Sequence, residues 1–534
     1  MSTDHEVIII GAGVSGIYQL YRLLEMGIDV TVLEGGDAPG GTWYWNRYPG
    51  CRFDSESYTY GYSFSKELLE EWNWSEHFSG QPETLRYLNH VVDKFDLSKH
   101  MQFGCKVKSA AFDDEASTWT LTLEDGRTIS TRFLLTAIGM LSAPTMPTIE
   151  GVEDFKGEAF HTYFWPQEHV DLKGKKVGVI GTGATAVQLI AEIADKVDEL
   201  TIFQRRPNWC APLNNSKIDE KEMAEIKSNY DEIFQKCHDT PGGFIHGPDR
   251  RKFNEVEESE RLAFWEELYD SPGFGVWLGN FRDVLVEEGA NAAFTDFIAD
   301  KIRLRVDDPA TAEKLIPKDH GFGTRRVPME TKYYEAYNRD NVHLIDINDT
   351  PIERITPKGI KTTEKEYDFD VIVYATGFDA ITGAFDRIEF TGVGGRKLSD
   401  KWIDGPITYL GLQTAGFPNL ITIAGPQGGS VATNFPRGIE EAVDWATELL
   451  KYLREHDYNR VEPKQDAEDE WTEHVKHTYT YSLLGNSKSW FTGYNSNVEG
   501  HNKIRYMIYN GGAPRYRQRL TEVAANGYSG FDVR

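Results

Sequence analysis

The chain has 534 residues, more than one domain usually holds, so we expect two or three domains. Its 84 acidic residues outnumber 57 lysines and arginines, and the formal charge of −27 argues against nucleic acid or an anionic membrane as a partner. No apolar run is long enough for a membrane span, and the start of the chain does not resemble a secretory signal. No C-x-x-C pair occurs either, so we expect a cytoplasmic protein without disulfides.

The first motif is a glycine-rich turn near the N-terminus. An apolar strand is predicted over residues 6–10, and a helix that runs to about Met26 and a strand over residues 29–34 follow. Before the helix stand Gly11, Gly13 and Gly16. Glycines in this context permit a tight turn, let the backbone approach a pyrophosphate and pack the helix against the strand, while the helix N-terminus offers N–H donors. The pattern predicts a dinucleotide-binding unit.

The same order recurs in the middle of the chain. Strands are predicted over residues 175–180 and 200–204, with a helix to about Val197 between them. The turn before this helix consists of Gly181, Thr182, Gly183, Ala184, Thr185 and Ala186, so alanine replaces the third glycine without loss of the phosphate contacts. A second dinucleotide-binding unit is therefore predicted. Ordinary turn glycines of an α/β fold are the alternative at both sites, and the strand–turn–helix–strand context disfavours it.

The ends of the second strands distinguish the two nucleotides. Glu34 ends the strand of the first unit, where a carboxylate accepts hydrogen bonds from ribose hydroxyls and repels a 2′-phosphate, so FAD or NAD fits. Arg205 and Arg206 follow the matching strand of the second unit, and guanidinium groups pair well with a phosphate dianion. The second unit is therefore predicted to prefer NADP, with a solvated basic strand end as the alternative.

Each unit closes on a predicted hairpin turn and a buried strand that ends in glycine, Gly139 in the first and Gly377 in the second. The second unit is the longer one, and we place a helical insertion at residues 217–312, where charged residues and helical spacing dominate. The expected fold class is α/β with two Rossmann-like dinucleotide-binding domains. The first domain is predicted to comprise residues 1–142 and 378–534, and the second residues 143–377.

Between the two units lies a stretch that carries a family resemblance. Phe155, Gly157, His161, Trp165 and Pro166 match F-x-G-x-x-x-H-x-x-x-W-P, the signature of Baeyer–Villiger monooxygenases, at every defined position. Further stretches resemble the same family, closest to its phenylacetone and cyclohexanone branch, over nearly the whole chain: residues 40–50, Asp54, residues 321–326, residues 375–379 and residues 489–493. His161 lies in the linker, where we expect it to couple domain movement to cofactor position rather than to act as a base.

The resemblance implies an FAD-dependent NADPH:O2 monooxygenase. NADPH would reduce FAD, the reduced flavin would react with O2, and the resulting flavin peroxide would convert a ketone to an ester or lactone and could also oxidise sulfides. The first domain would then bind FAD and the second NADP. A small-molecule ketone and O2 are the expected partners, no metal is expected, and relatives of this kind are commonly monomers.

The resemblance also assigns roles to residues. Arg326 matches the catalytic arginine, a permanent cation suited to an anionic oxygen, and Asp54 matches the carboxylate that holds it near the flavin; both count among the cofactor contacts. Without the resemblance, a surface cation and a turn residue are the plainer interpretations. Residues expected to line FAD are Gly41, Thr42, Trp43, Tyr60 and Val107. Residues expected to hold NADP are Thr182, Gly183, Ala184, Thr185 and Gln188 at the pyrophosphate, Arg205, Arg206 and Arg325 at the 2′-phosphate, and Trp490 at the nicotinamide ribose.

The sequence identifies the substrate less clearly than the cofactors. Candidates for the ketone pocket, by position in the family pattern, are Met140, Ser430, Ala432, Asn434, Phe435 and Trp490, whose mixed sizes fit cyclic, linear and aryl ketones alike. A flavin monooxygenase that oxidises nitrogen or sulfur is an alternative, but it would lack the Trp165-Pro166 end of the signature and needs no cation at Arg326. A disulfide reductase needs a redox dithiol, and a non-catalytic flavoprotein has no reason to keep the Arg326–Asp54 pair.

Overall fold

The computed structural model describes residues 3–534, apart from the side chain of Val431. Within this range the strands, numbered in chain order, are β1 (His5–Ile10), β2 (Val30–Leu33), β3 (Met101–Gln102), β4 (Val107–Asp113), β5 (Thr118–Leu123), β6 (Thr128–Thr136), β7 (Glu158–His161), β8 (Lys176–Ile180), β9 (Glu199–Gln204), β10 (Ala211–Pro212), β11 (Met329–Glu330), β12 (Val342–Asp346), β13 (Ile352–Ile355), β14 (Gly359–Thr362), β15 (Glu366–Asp368), β16 (Val371–Tyr374), β17 (Glu389–Thr391), β18 (Leu420–Thr422), β19 (Val461–Pro463) and β20 (Phe531–Val533).

The α-helices of the same range are α1 (Val14–Glu25), α2 (Thr42–Trp45), α3 (Ser57–Tyr60), α4 (Lys66–Glu71), α5 (Gln81–Lys94), α6 (Ala184–Ile193), α7 (Glu220–Ser228), α8 (Tyr230–Asp239), α9 (Glu258–Asp270), α10 (Gly275–Leu278), α11 (Glu288–Arg305), α12 (Pro309–Leu315), α13 (Tyr333–Ala336), α14 (Leu398–Lys401), α15 (Phe435–Glu455), α16 (Gln465–Thr478) and α17 (Ala513–Ala525). None of these helices combines the length and the apolar character that crossing a bilayer requires.

The first sheet carries the first glycine-rich turn. It has eight strands in the order β17-β4-β5-β6-β1-β2-β3, with β18 also paired to β6. β1 lies between β2 and β6 and is parallel to both. Val7 and Ile9 point into one buried core and Ile8 and Ile10 into another, which explains why this strand is apolar without alternation. The strand–turn–helix–strand order predicted at the N-terminus is confirmed.

The second sheet carries the second turn. It has five strands in the order β12-β9-β8-β16-β7, and all neighbours are parallel. Helix α6 connects β8 to β9 as predicted, but it ends at Ile193 and not near Val197. The reason is tertiary, because the side-chain amide of Asn341 donates hydrogen bonds to the carbonyls of Ala194 and Val197 and holds them in a turn.

The C-terminal third of the chain returns to the first sheet. β17 and β18 join this sheet, and α15 packs on α1 through hydrogen bonds from Tyr18 to Asp444 and from Gln19 to Thr447. The strands of the first sheet lie within residues 1–142 and 378–534, and those of the second within residues 143–377. This distribution agrees with a discontinuous first domain, while the exact boundaries stay a prediction.

The predicted insertion is helical. Helices α7 to α12 lie between β10 and β11, which pair with each other where the chain leaves and re-enters the second unit. The insertion is fastened at this point by Arg305, the last residue of α11, whose guanidinium forms ion pairs with Glu330 at 2.7 Å and Glu335 at 2.6 Å. The Glu330 side chain is fully buried and also accepts the backbone N–H of Tyr333.

We predict that Arg305→Ala destabilises the protein far more than Arg303→Ala. The first change leaves the buried Glu330 carboxylate without its cation, which typically costs about 3–5 kcal/mol. Arg303 lies on the same helix but forms only exposed pairs, with Asp300 and Glu313, worth up to about 1 kcal/mol. Urea unfolding followed by tryptophan fluorescence measures both. Equal shifts in the two midpoints would show that the Arg305 pair does not fasten the insertion.

Candidate active site

Crowding of backbone against backbone explains the glycines at both turns. Gly11 has a φ of +104°, and a Cβ there would lie 2.5 Å from the carbonyl oxygen of Ala137. Gly181 has a φ of +112°, and a Cβ there would lie 2.4 Å from the carbonyl oxygen of Ala375. A Cβ on Gly16 would lie 1.8 Å from the Gly11 carbonyl oxygen. Each first strand therefore meets its closing strand so tightly that side chains have no room.

The starts of α1 and α6 are arranged to receive an anion. Gly13 and Gly183 are the N-cap residues, and neither helix has a side-chain cap hydrogen bond, so the first N–H groups stay available. Gly13 also packs on Gly41, where a Cβ would lie 2.7 Å from the Gly13 Cα. Any side chain at these positions would fill the space above the turn. The first turn therefore fits a pyrophosphate, and Ala184 and Thr185 begin the corresponding helix in the second unit.

A cavity of about 1090 Å³ opens beside the first turn. Its size is at the upper end of what small-molecule sites occupy. Gly16 does not line it, because this glycine faces the preceding strand. The residues predicted for FAD that do line the cavity are Gly11, Gly13, Glu34, Gly41, Thr42, Trp43, Asp54, Tyr60 and Val107. The residues that the sequence predicts for FAD therefore surround one cavity.

Hydrogen bonds fix the polar groups on this side of the cavity. The Glu34 carboxylate accepts the backbone N–H groups of Ala12 and Gly36, both at 2.7 Å. Burial raises the pKa of Glu34, and these N–H groups lower it in part. The indole N–H of Trp43 donates to the Tyr60 hydroxyl at 3.0 Å, with the two rings edge to face. These hydrogen bonds hold the polar side chains in place on the cavity wall.

Arg326 and Asp54 meet on the wall of the same cavity. The guanidinium Nη2 lies 2.7 Å from the Asp54 Oδ2, and the carboxylate is fully buried while the arginine side chain remains 29% exposed. The same Oδ2 accepts the backbone N–H of Met329 at 3.1 Å. The buried carboxylate thus has the partners it needs, and the cation is held with one face toward the cavity.

Gln188 lies on α6, yet its side chain points to the first unit. Its amide nitrogen donates to the Arg52 carbonyl at 3.0 Å and lies 3.4 Å from the Asp54 Oδ1, and its amide oxygen accepts the Tyr48 hydroxyl at 2.8 Å. The amide is therefore committed to the contact between the two units. In this arrangement Gln188 supports Asp54. Its amide is held by groups of the first unit and is not left free for a pyrophosphate at the start of α6.

The basic strand end of the second unit lies open. Arg205 and Arg206 follow β9 and are exposed, and neither forms an ion pair with an acidic side chain within residues 3–534. Arg205 donates to the side-chain oxygen of Asn497 at 2.9 Å, and the Thr182 hydroxyl donates to the Arg206 carbonyl at 2.7 Å. The threonine of the second turn is thereby joined to the two arginines, so the predicted phosphate contacts cluster at one edge of this sheet.

Arg325 differs from these two arginines because it already has a carboxylate partner. Its Nη2 lies 2.9 Å from the Asp319 Oδ2, and its buried Nε has no hydrogen-bond partner in the described part of the chain. Hydrogen bonding from His320 and the charge of Arg325 hold the pKa of Asp319 well below its usual range. A phosphate near Arg325 would compete with Asp319 for the same cation.

Most candidates for the ketone pocket lie on the wall of the cavity. Met140, Ala432, Asn434, Phe435 and Trp490 line it. Ser430 does not, since it is buried and its hydroxyl donates to the Gly438 carbonyl at 3.0 Å. Trp490 begins a short 3-10 helix, Trp490–Thr492, and its ring packs on Phe491.

One wall of the cavity was missed by the sequence analysis. The helical insertion contributes apolar side chains to it, which are Phe244, Phe274, Trp277, Leu278 and Leu285. The signal was present, since residues 272–279 read Pro-Gly-Phe-Gly-Val-Trp-Leu-Gly between charged helices. An apolar, glycine-rich turn in a charged segment indicates a surface that packs on something, but only the structure shows that it closes the cavity.

His161 and a cluster of charged residues lie outside this wall. His161 is buried, its Nδ1 accepts the N–H of Tyr163, and burial lowers its pKa to about 4, so the ring is neutral.

Asp379, Asp386 and His501 lie near enough to one another to share a cation. However, the guanidinium of Arg505 lies 2.8 Å from the His501 ring, and this positive charge disfavours a metal ion.

Comparisons with known proteins agree with this geometry. The family model described as flavin-binding monooxygenase-like matches residues 4–221. The 2-oxo-Δ3-4,5,5-trimethylcyclopentenylacetyl-CoA monooxygenase of Pseudomonas putida is 47% identical over 99% of this chain and 98% of its own length. A Baeyer–Villiger monooxygenase of Pseudooceanicola batsensis and a phenazine N-monooxygenase of Lysobacter antibioticus are each 38% identical over 99% of this chain and 96% and 97% of their own lengths.

A solved structure is equally similar. The crystal structure of OTEMO in complex with FAD and NADP superposes with a TM-score of 0.96 at 46% identity, and all of both chains is covered. The likeness thus spans both sheets and the insertion, well beyond a shared dinucleotide motif. The α/β fold with two dinucleotide-binding units is confirmed, and the chain belongs to the flavin-binding monooxygenases of the Baeyer–Villiger type.

Proposed function

We propose that this enzyme binds FAD in the large cavity and NADPH at the second turn, and inserts one oxygen atom of O2 beside the carbonyl of a ketone to give an ester or lactone. The observation that carries the proposal is the Arg326–Asp54 ion pair on the cavity wall. A permanent cation in a mostly apolar cavity is what a reaction with a developing anionic oxygen needs. A flavoprotein that only stores electrons does not need one.

The contacts around the first turn support the position of FAD. Its pyrophosphate would lie over the uncapped start of α1, its ribose near Glu34 and its adenine against Val107, with the flavin toward Trp43 and Arg326. Bound FAD supplies the redox chemistry with NADPH and O2. The protein's own part is to hold this group, to keep water away and to place one positive charge.

Arg326 would act on the substrate. When the ketone carbon is attacked, negative charge grows on the carbonyl oxygen, and a guanidinium that cannot lose its proton stabilises that charge. Asp54 positions the guanidinium, and Met329 and Gln188 position Asp54. The aromatic and aliphatic side chains of the insertion exclude water, which strengthens the attraction between cation and oxygen.

NADPH would occupy the second unit. The pyrophosphate is proposed at Thr182, Gly183, Ala184 and Thr185, the 2′-phosphate at Arg205 and Arg206, and the nicotinamide ribose near Trp490. Arg205 and Arg206 have no acidic partner within residues 3–534, so a phosphate gains their charge without breaking an ion pair. Arg325 is a weaker candidate because Asp319 already holds it. We propose domain boundaries at residues 142/143 and 377/378, because the strands of the first sheet lie outside these limits and those of the second lie between them.

The substrate is proposed to be a ketone with an apolar body. The relative from Pseudomonas putida is named for a cyclopentenyl ketone carried by coenzyme A, and the cavity wall here is apolar at Phe244, Phe274 and Trp277. A relative with 38% identity is named as a phenazine N-monooxygenase, so oxidation of nitrogen is the alternative to test. A panel of ketones with identification of the products is the direct test. We also propose a reducing cytoplasm, since all four cysteines are buried and free. A monomer is proposed from the family resemblance alone.

We predict that Arg326→Ala still binds FAD and is still reduced by NADPH, but forms no ester. Loss of a well-placed charge at the reacting oxygen raises a barrier by several kcal/mol, which is about a hundredfold or more in rate. The measurements are flavin absorbance after mixing with NADPH without oxygen, and ester yield from a ketone by mass spectrometry. Arg326→Lys is the matched control, because it keeps a positive charge without the planar fork and should retain part of the yield.

We predict that the double change Arg205→Ala and Arg206→Ala raises the KM for NADPH but leaves the KM for NADH nearly unchanged. Two charge-assisted hydrogen bonds to the 2′-phosphate are lost, worth about 1.5–3 kcal/mol each, and NADH has no such phosphate. Steady-state kinetics with both nucleotides give the answer. A parallel rise in both KM values would mean that the 2′-phosphate is bound elsewhere.

A further inference from the structure

The cavity reaches the surface beside the first turn of α17. Tyr481, Ser482, Asn510, Pro514 and Arg515 line this end of it. Tyr481 is 37% exposed and Arg515 is exposed, whereas the walls deeper inside are apolar. A molecule that enters with an apolar body first would therefore leave its trailing group against Arg515. We call these residues the mouth of the cavity.

The mouth carries positive charge without acidic partners. Arg515 lies with its guanidinium 5.8 Å from the Tyr481 ring centroid and forms no ion pair within residues 3–534. Arg519 follows one turn later on the same face of α17 and has no acidic partner there either. By contrast, Arg517 points to another side and is held by Glu441. Arg515 is thus the unpaired arginine that lines the mouth, and Arg519 lies behind it, where its charge acts on His474 and on the Tyr409 hydroxyl.

Two histidines of α16 extend this charge. Partial burial lowers the pKa of His474, and the positive charges of three neighbours lower it further: Arg519, His477 and Arg515. Glu470 is the carboxylate that acts on His474 in the opposite direction. His477 packs edge-on against Tyr481, and His474 lies over Tyr509. These basic groups thus share one neighbourhood around the aromatic rings of the mouth.

This local balance contrasts with the whole chain, whose formal charge is −27. An anion is repelled by most of such a surface and attracted where cations stand unpaired. The charges of Arg515, Arg519 and His477 all lower the pKa of His474, and Glu470 offsets them only in part. An anionic group bound at Arg515 would add to that compensation. The positive charge of the mouth thus suits a negatively charged group, and the apolar interior suits a hydrocarbon ring or chain.

We propose that Arg515, with the charge of Arg519 behind it, forms a subsite for an anionic group carried by the ketone substrate, either a carboxylate or a phosphate of a larger carrier. This inference rests on the proposed function. It gives the substrate two parts, an apolar ketone that reaches Arg326 and an anion that stays at the mouth. Arg515 is then a residue that determines specificity and takes no part in the oxygen chemistry.

The test uses the FAD-loaded enzyme with NADPH and three matched ketones: 2-oxocyclopentylacetate, its methyl ester and its coenzyme A thioester. We expect Arg515→Ala to lower kcat/KM for the anionic ketones by about ten- to a hundredfold, through KM, and to change it less than about twofold for the methyl ester. Arg515→Lys should restore part of the difference. Arg86→Ala, an exposed arginine of α5 that lies outside the cavity lining and has no ion pair, is the control and should change nothing.

Each outcome decides a separate point. A loss confined to the carboxylate, or to the thioester, identifies which anion the subsite takes. Equal losses for all three ketones, or no loss for both anions, overturn the inference, as does a rise in the KM for NADPH alone. If no ketone gives product, the proposed function fails, and ligand-induced changes in flavin absorbance still measure binding. A weaker dissociation constant for the anions alone in Arg515→Ala would then support the subsite by itself.

Discussion

One buried carboxylate joins the two halves of this enzyme. Asp54 comes from the first unit, and its partners Arg326, Met329 and Gln188 come from the second. A buried charge is stable only when it is fully paired, so the two units must meet in the one arrangement that satisfies Asp54. That arrangement also fixes the guanidinium of Arg326 on the cavity wall. One of the contacts between the units and the charge that we propose for the chemistry are therefore the same interaction.

The apolar walls give this charge its strength. In water a single cation stabilises a developing anion weakly, because the solvent screens it, whereas in an apolar cavity the same cation acts over a longer range. The insertion supplies Phe244, Phe274 and Trp277 for this purpose, and the C-terminal segment supplies Trp490. The segments added to the two dinucleotide units thus build the apolar environment of the role that we propose for Arg326, and the dinucleotide units hold the cofactors.

The sequence predicts the parts of this design that are local. Gly11, Gly181 and Glu34 could be identified because the strand, the turn and the helix that give them meaning are their neighbours in the chain. The ends of the elements were less predictable, as α6 shows, since a distant Asn341 decides where it stops. The pairing of Asp54 with Arg326 was expected only through the family resemblance, because nothing local relates residues so far apart. The aromatic wall was missed for the same reason, and Gln188 was assigned to a nucleotide although its amide faces the other unit.

Unpaired cations indicate where anions bind in so acidic a chain. Several arginines here lie against carboxylates, as Arg305 and Arg325 do, and a ligand phosphate that approached them would have to displace an existing partner. Arg205 and Arg206 have no such partner, and neither has Arg515, within residues 3–534. These three arginines lie at two places along the proposed path of the ligands, the edge of the second sheet and the mouth of the cavity. Because these arginines have no acidic partner, their charge is available to a ligand, and we propose that it directs a phosphate to the first place and an anionic substrate to the second.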